Sequence, residues 1–155
     1  MRKIILGGLS LAAIMAAGNT AAAAEPKQDR AEARPEVEHF PRAGKPFSST
    51  IRIGSSVYIS GVIGTAADGS LPADFVTQAT NTMDAVASKM KLAGAAMDDV
   101  YKCTIALTNM DDWDAFNSVY VKYFKADRFP VRMSFASPSL GGAAVEVQCE
   151  AHLPS

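Results

Sequence analysis

Two charges stand out by position, Arg132 and Glu146. Val131, Met133 and Phe135 alternate with Arg132, Ser134 and Ala136; Val145, Val147, Cys149 and Ala151 alternate with Glu146, Gln148, Glu150 and His152. A period of two marks half-buried strands, with the apolar set facing the core. Both charges therefore fall mid-strand, on one predicted sheet face opposite the apolar sets. A charge in that setting must be paired, solvated or useful, because desolvating it alone is expensive. A guanidinium grips a carboxylate through two parallel hydrogen bonds. A carboxylate partly withdrawn from water can serve as a base or proton shuttle. A structural ion pair or two solvated charges explain the pattern equally simply, and on pattern alone the structural reading is the commoner outcome.

Other chemistry is thinly represented. The chain has no phosphate-binding glycine loop and no dinucleotide fingerprint. Ser88-Lys89-Met90-Lys91 has a serine–lysine spacing known from β-lactamases, but it lies inside a helical pattern and lacks companion motifs. Cys103, Cys149, His39 and His152 are scattered and show no zinc spacing. Two cysteines are too few for a disulfide scaffold. Both fall in the apolar phase of their strands, which predicts two small buried core residues with free thiols.

The elements that would carry Arg132 and Glu146 are legible. Ser48 to Ile53 and Val57 to Ile63 read as strands joined through Gly54-Ser55-Ser56, a hairpin. In the second strand Val57, Ile59 and Ile63 take one side and Tyr58, Ser60 and Val62 the other. Asp74 can cap a helix whose apolar face is Val76, Ala79, Met83, Val86 and Met90, ending near Gly94. Tyr101 to Thr108 alternates as another strand. Asp111 or Asp112 would cap a second helix with Trp113, Phe116, Tyr120 and Tyr123 as its buried stripe. The order is β-β-α-β-α-β-β. Right-handed crossovers put both helices on one face of one mixed sheet, a two-layer α/β (α+β) domain. The opposite face would carry Tyr58, Ser60, Lys102, Thr104, Arg132, Ser134, Glu146, Gln148 and Glu150, a pattern expected of an interface or a site.

The first 24 residues read as a secretory signal: basic Arg2-Lys3, an apolar run from Ile4 to Ala17, and small residues ending at Ala24. The apolar run is shorter than the roughly 20 residues that span a bilayer. Cleavage after Ala24 leaves 131 of 155 residues, one domain, secreted or periplasmic. The remaining 13 basic and 16 acidic residues give a net charge of −3, without the basic footprint of a nucleic-acid binder. Residues 25–45 are rich in charge and proline and read as a flexible leader, with His39-Phe40 its one candidate docking point.

From about residue 46 to 153 the motifs resemble the Rid family, also called the YjgF family. They run from Pro46-Phe47-Ser48-Ser49, Gly54 and Val57-Tyr58-Ile59-Ser60-Gly61 through Met97-Asp98-Asp99-Val100-Tyr101-Lys102-Cys103-Thr104. Met110-Asp111-Asp112-Trp113, Phe116-Asn117, Phe129-Pro130-Val131-Arg132 and Val145-Glu146-Val147 follow in order. The resemblance implies a chorismate-mutase-like fold for residues 46–155, a homotrimer with sites in clefts between subunits, and no metal or organic cofactor. It implies hydrolysis of 2-imino or 2-enamino acids to 2-oxo acids and ammonia. The matching positions give Arg132 the substrate carboxylate and Glu146 the attacking water. Phe47, Ser60, Gly61, Asn117 and Ser134 would line or support the pocket. It also makes the strands of Cys103 and Cys149 neighbours.

Four positions depart from the family pattern. Phe47 stands where tyrosine is usual, Val62 where glutamine often follows the Ser-Gly pair, Ser134 where cysteine is frequent, and Gly141-Gly142 where Pro-Lys often precedes the last strand. The expected function is an exported imine deaminase. The alternative is a non-catalytic trimer of the same fold that binds small carboxylates or shields unfolded proteins.

Overall fold

The computed structural model describes residues 35–154. The signal segment and the leader up to residue 34 lie outside the described residues. Seven strands form one sheet: β1 (Val37–Pro41), β2 (Ser48–Ile53), β3 (Ser56–Ile59), β4 (Val62–Ile63), β5 (Val100–Leu107), β6 (Val131–Ala136) and β7 (Val145–His152). Their order is β1-β2-β3-β7-β5-β6, with β4 pairing to β7. Only β5 and β6 run parallel; the other pairings are antiparallel. Helices α1 (Phe75–Leu92) and α2 (Trp113–Tyr120) share one hydrophobic core with the sheet.

The stretch read as a flexible leader is corrected over 37–41. It forms β1, paired antiparallel to β2, and Phe40 sits opposite Thr50 and packs against the core. Backbone pairing, rather than apolar content, holds this segment, so composition did not reveal it. The β2–β3 hairpin turns at Gly54, whose φ of 57° suits a two-residue loop that a side chain would strain.

Helix α1 follows its sequence signals. The Asp74 carboxylate accepts from the Thr77 N–H at 2.7 Å. Ala79, Met83, Val86 and Met90 are fully buried, while Val76 is exposed and Phe75 reaches the core instead. At the other end Gly94 (φ 82°) lets the Ala95 N–H reach the Met90 carbonyl and its own N–H reach that of Lys91, a Schellman closure. Helix α2 starts differently from expectation. Asn109 caps the short 3₁₀ turn Met110–Asp112, accepting from the Asp111 N–H; Asp112 holds the N-cap position of the helix, but its side chain makes no capping hydrogen bond. Phe116, Val119 and Tyr120 are buried, with Trp113 and Tyr123 packed at the margin.

Two features of the sheet bear on the site. The expected strand 57–63 is broken at Ser60-Gly61 into β3 and β4, and the break shifts the alternation. Val62 enters the core, and Ile63 faces the other way, opposite Glu146. The sequence reading that put Ile63 inward and Val62 outward is therefore reversed. Cys103 and Cys149 face each other directly in the β5–β7 register, Cα atoms 4.1 Å apart, and are joined by a disulfide. The expectation of free thiols is overturned. Alternation placed both side chains in the core, but the zero offset that lets them bond is a matter of register between strands 46 residues apart.

Candidate functional site

Residues directly opposite in a sheet project to the same side. In β7, Val145, Val147 and Cys149 are buried under the helices, so Glu146, Gln148 and Glu150 project from the open face. On that face Glu150 is fully engaged. It accepts from the Tyr101 hydroxyl at 2.7 Å and from Lys102 Nζ at 3.0 Å. These bonds, the tyrosine's first, hold its carboxyl below the usual glutamate range, and the same bond helps push the Tyr101 phenol up to about 12.

Glu146 is placed otherwise. It sits opposite Ala106 of β5 and Ile63 of β4 and has no ion-pair or hydrogen-bond partner among the described residues. Its side chain lies across Gly61. A Cβ built on Gly61 would stand 2.8 Å from Glu146 Cδ and closer still to Oε1. The chain break at Gly61 makes that approach possible, and Ser60 fixes the break. Its N–H donates to the Ser49 carbonyl at 3.0 Å and its hydroxyl to the Ser48 carbonyl at 2.7 Å. The carboxylate opens on a cleft of about 270 Å³ lined by Gly61, Thr104, Phe135, Leu140, Glu146 and Gln148. Gln148 also lines a neighbouring cleft of about 360 Å³ with exposed Phe47, Ser60, Tyr58 and His39. Gly61, Ser60, Phe47 and Glu146 thus gather on one face.

Arg132 does not join them. In the parallel β5–β6 register it lies opposite buried Cys103 and so projects toward the helices. Its guanidinium carbon stands 4.7 Å from the Trp113 ring centroid and 5.0 Å from that of Tyr120. Its Nη2 donates to Asn117 Oδ1 at 2.7 Å. Two aromatic faces and an amide hold the planar fork in one orientation. Beside it is a cavity of about 300 Å³ lined by Asn117, Tyr120, Val121, Phe129, Pro130 and Arg132. Burial pushes the Tyr120 phenol up to about 12, against the pull of Arg132, so it stays a neutral hydroxyl there. Ser134 follows on the same side of β6, opposite Ile105, with its Oγ buried and without a hydrogen-bond partner.

The expectation that Arg132 and Glu146 share a sheet face is therefore wrong for a single chain. The reason is the edge position of β6. Its apolar residues were read as the inward set, yet Val131, Met133 and Phe135 are 69%, 61% and 46% exposed, on the open face. Alternation sorts residues into two sets; only the neighbours of the strand decide which set is covered. Val62, which stands where the family often has glutamine, is a core residue. Gln148, Leu140, Trp113 and Tyr120 were not singled out. The two aromatics carry only a helix-stripe signal, and their second use as a platform for Arg132 needs the parallel register.

The candidate residues thus fall into two clusters: Arg132 with Asn117 and Ser134 on the helix side of the edge strand, and Glu146 with Gly61, Ser60 and Phe47 on the open face. A family model described as Endoribonuclease L-PSP matches residues 37–153. A goat (Capra hircus) protein named 2-iminobutanoate/2-iminopropanoate deaminase is 32% identical over 111 residues, covering 70% of this chain and 80% of its own. The human protein of the same name is 30% identical over 114 residues, covering 72% and 82%. Among solved structures, a Yersinia pestis protein of the Rid family, YyfA, of unknown function, superposes with a TM-score of 0.71 at 28% identity, covering 76% of this chain and all of that one. A match that spans nearly every described element, together with relatives of this similarity, establishes that the chain belongs to the Rid family, also called YjgF or L-PSP.

Proposed function

We propose that the chain is an exported hydrolytic deaminase of reactive 2-imino and 2-enamino acids, working as a homotrimer. The observation that carries the reading is the uncommitted Glu146 carboxylate, laid over Gly61 beside an open cleft, while Glu150 two positions along its face is fully bonded. Family membership and the deaminase names of its relatives support the same reading.

Arg132 holds the substrate carboxylate through two charge-assisted hydrogen bonds, pre-oriented by Trp113, Tyr120 and Asn117. Glu146 takes a proton from water as the water oxygen bonds to the imine carbon. That proton passes to the nitrogen. Glu146 then relays the carbinolamine's hydroxyl proton to the nitrogen, the carbon–nitrogen bond breaks, and the 2-oxo acid and ammonia are released. An imine carbon is already electrophilic, so positioning and modest base help suffice. Phe135 and Leu140 give the substrate side chain an apolar wall.

The separation of Arg132 from Glu146 supports a site shared between subunits, and the family resemblance supports three of them. Because Arg132 and Glu146 project from opposite sides of the sheet, a complete site joins the two halves from neighbouring subunits. The exposed Val131, Met133 and Phe135 supply an apolar surface for that contact. Export is supported by the signal-like first 24 residues and by the Cys103–Cys149 disulfide, since disulfides persist in oxidising compartments. Phe47, with no hydroxyl to offer at the cleft, favours the second reading, a non-catalytic trimer that binds small carboxylates. The acidic balance disfavours RNA cleavage.

The test is direct. 2-Iminobutanoate or 2-iminopropanoate is generated in situ by a dehydratase or an amino-acid oxidase, and imine decay is followed with and without the protein. Acceleration lost in Glu146→Gln supports the deaminase. Unchanged decay, with a 2-oxo acid still bound, establishes the binding protein instead. Light scattering should report about three subunits; a stable monomer at micromolar concentration would sink the shared site.

A further inference from the structure

We propose that the groove between β4, α1 and the Pro41–Ala43 turn is a binding site for a small dianion, held by Arg42 and Lys89. It is a cavity of about 470 Å³ that shares Gly61 with the Glu146 cleft but is not lined by Glu146; Arg42, Ser49, Gly61, Ile63, Ala85 and Lys89 are among its lining residues. Among the described residues, Arg42 and Lys89 are its only charged lining groups, and no carboxylate lines it. Neither takes part in an ion pair among the described residues, whereas Lys102 pairs with Glu150, and Lys125 and Arg128 pair with Asp98. In a chain with more acidic than basic residues, two cations converging on one cavity without an acid is an arrangement that favours an anion.

The cost of that arrangement is visible at Lys89. It is half-buried one helical turn beyond Ala85, and desolvation first, then the like charge of Arg42, lowers its ammonium below the ordinary 10.5. An anion in the groove would relieve both effects. A single negative charge leaves the pair half-neutralised; two charges on one ligand match it. Arg42 offers a planar fork and Lys89 a point charge, which suits a phosphate monoester or a dicarboxylate. The cavity has room for such a molecule beyond its charged head. The inference does not depend on deamination, because Arg132 and Glu146 take no part in the groove.

Calorimetric titrations with inorganic phosphate, succinate and acetate at matched ionic strength test it. They are run in the Arg132→Ala protein so that the other anion-holding group is silent. Phosphate or succinate should bind once per chain and at least tenfold more tightly than acetate. Arg42→Gln and Lys89→Gln should each weaken that binding tenfold or more, while Lys89→Arg retains it. Binding of phosphate alone supports the site and assigns it to phosphate esters; binding of succinate as well assigns it to dicarboxylates. Arg42 lies on an exposed turn, so Arg42→Gln carries the test if Lys89→Gln melts early. Equal binding of all three anions, or phosphate binding indifferent to Arg42 and Lys89, would mean an adventitious ion only and would overturn the proposal.

Discussion

The sharpest test of the site is one methyl group at Gly61. Its φ lies outside the left-handed region, so alanine is allowed there by the backbone. The new Cβ would stand 2.8 Å from Glu146 Cδ and 3.2 Å from Cγ, closer than carbon atoms tolerate, so something must move. What moves is the free end of an uncommitted side chain. An off-rotamer glutamate costs about 0.5–1.5 kcal/mol. Replacing glycine by alanine in a permitted conformation stabilises by about 0.4–1 kcal/mol through the unfolded chain. The two nearly cancel, and stability should change by less than about 1 kcal/mol. Function should not be spared. A displacement of about 1 Å at a reacting group costs on the order of a hundredfold, and a general base contributes about 10²–10⁴. Gly61→Ala should therefore keep its melting temperature within a few degrees and its affinity for a 2-oxo acid. It should lose about a hundredfold in kcat for imine decay. Gly64→Ala is the control. There a Cβ would meet the backbone of α1, with Thr82 N at 2.6 Å, and neither helix nor strand can yield cheaply. Overpacking of that kind costs about 1–3 kcal/mol or more, so Gly64→Ala should melt early. If Gly61→Ala keeps full activity, or unfolds as Gly64→Ala does, the role given to Glu146 is wrong.

Further outcomes follow from the same geometry. Arg132→Ala removes two charge-assisted hydrogen bonds worth about 1.5–3 kcal/mol each, so kcat/KM should fall at least about a hundredfold, and Arg132→Lys should recover little because an ammonium cannot form the fork. Glu146→Gln should lower kcat with KM nearly unchanged and melt like the parent; a melting collapse with activity retained would leave Glu146 a purely structural role. Thiol titration of the denatured, unreduced protein should find no free thiol, and Cys103→Ser with Cys149→Ser should cost about 2–4 kcal/mol in urea unfolding. The Glu150 carboxyl is depressed on folding, so its contribution is present above its ordinary value of 4.5 and lost as pH falls through the lower folded value. Acid melting curves of the parent and Glu150→Gln should converge below that window and differ above it; parallel curves throughout would refute the Tyr101–Lys102–Glu150 linkage.

The sequence was most readable where one residue's surroundings are local. Asp74 and Gly94 bounded α1 because caps are written within a turn of the chain. Alternation gave β5, β6 and β7 because pleating is local too. What failed depends on neighbours distant in sequence. β1 exists through pairing with β2, and the disulfide through the zero offset of β5 and β7. The face of β6 follows from its place at the edge. The Ser60-Gly61 break was invisible because a glycine inside an alternating run reads as an ordinary strand residue, yet it moves Val62 inward and gives Glu146 its space.

That break also explains how one β-strand can hold two glutamates with different duties. Glu150 and Glu146 share the open face of β7, four residues apart. Opposite Glu150 the sheet is continuous, and Tyr101 and Lys102 donate hydrogen bonds to its carboxylate. Opposite Glu146 the neighbouring strand has just been interrupted, and the carboxylate lies against a glycine with no side chain to donate. A carboxylate that accepts two strong hydrogen bonds is a staple; one with no partner among the described residues keeps its freedom to turn. The same strand therefore staples the sheet at one end and leaves a carboxylate without a partner among the described residues at the other. The difference is made by the partner strand, so restoring a side chain at position 61 should abolish reactivity without strengthening the fold.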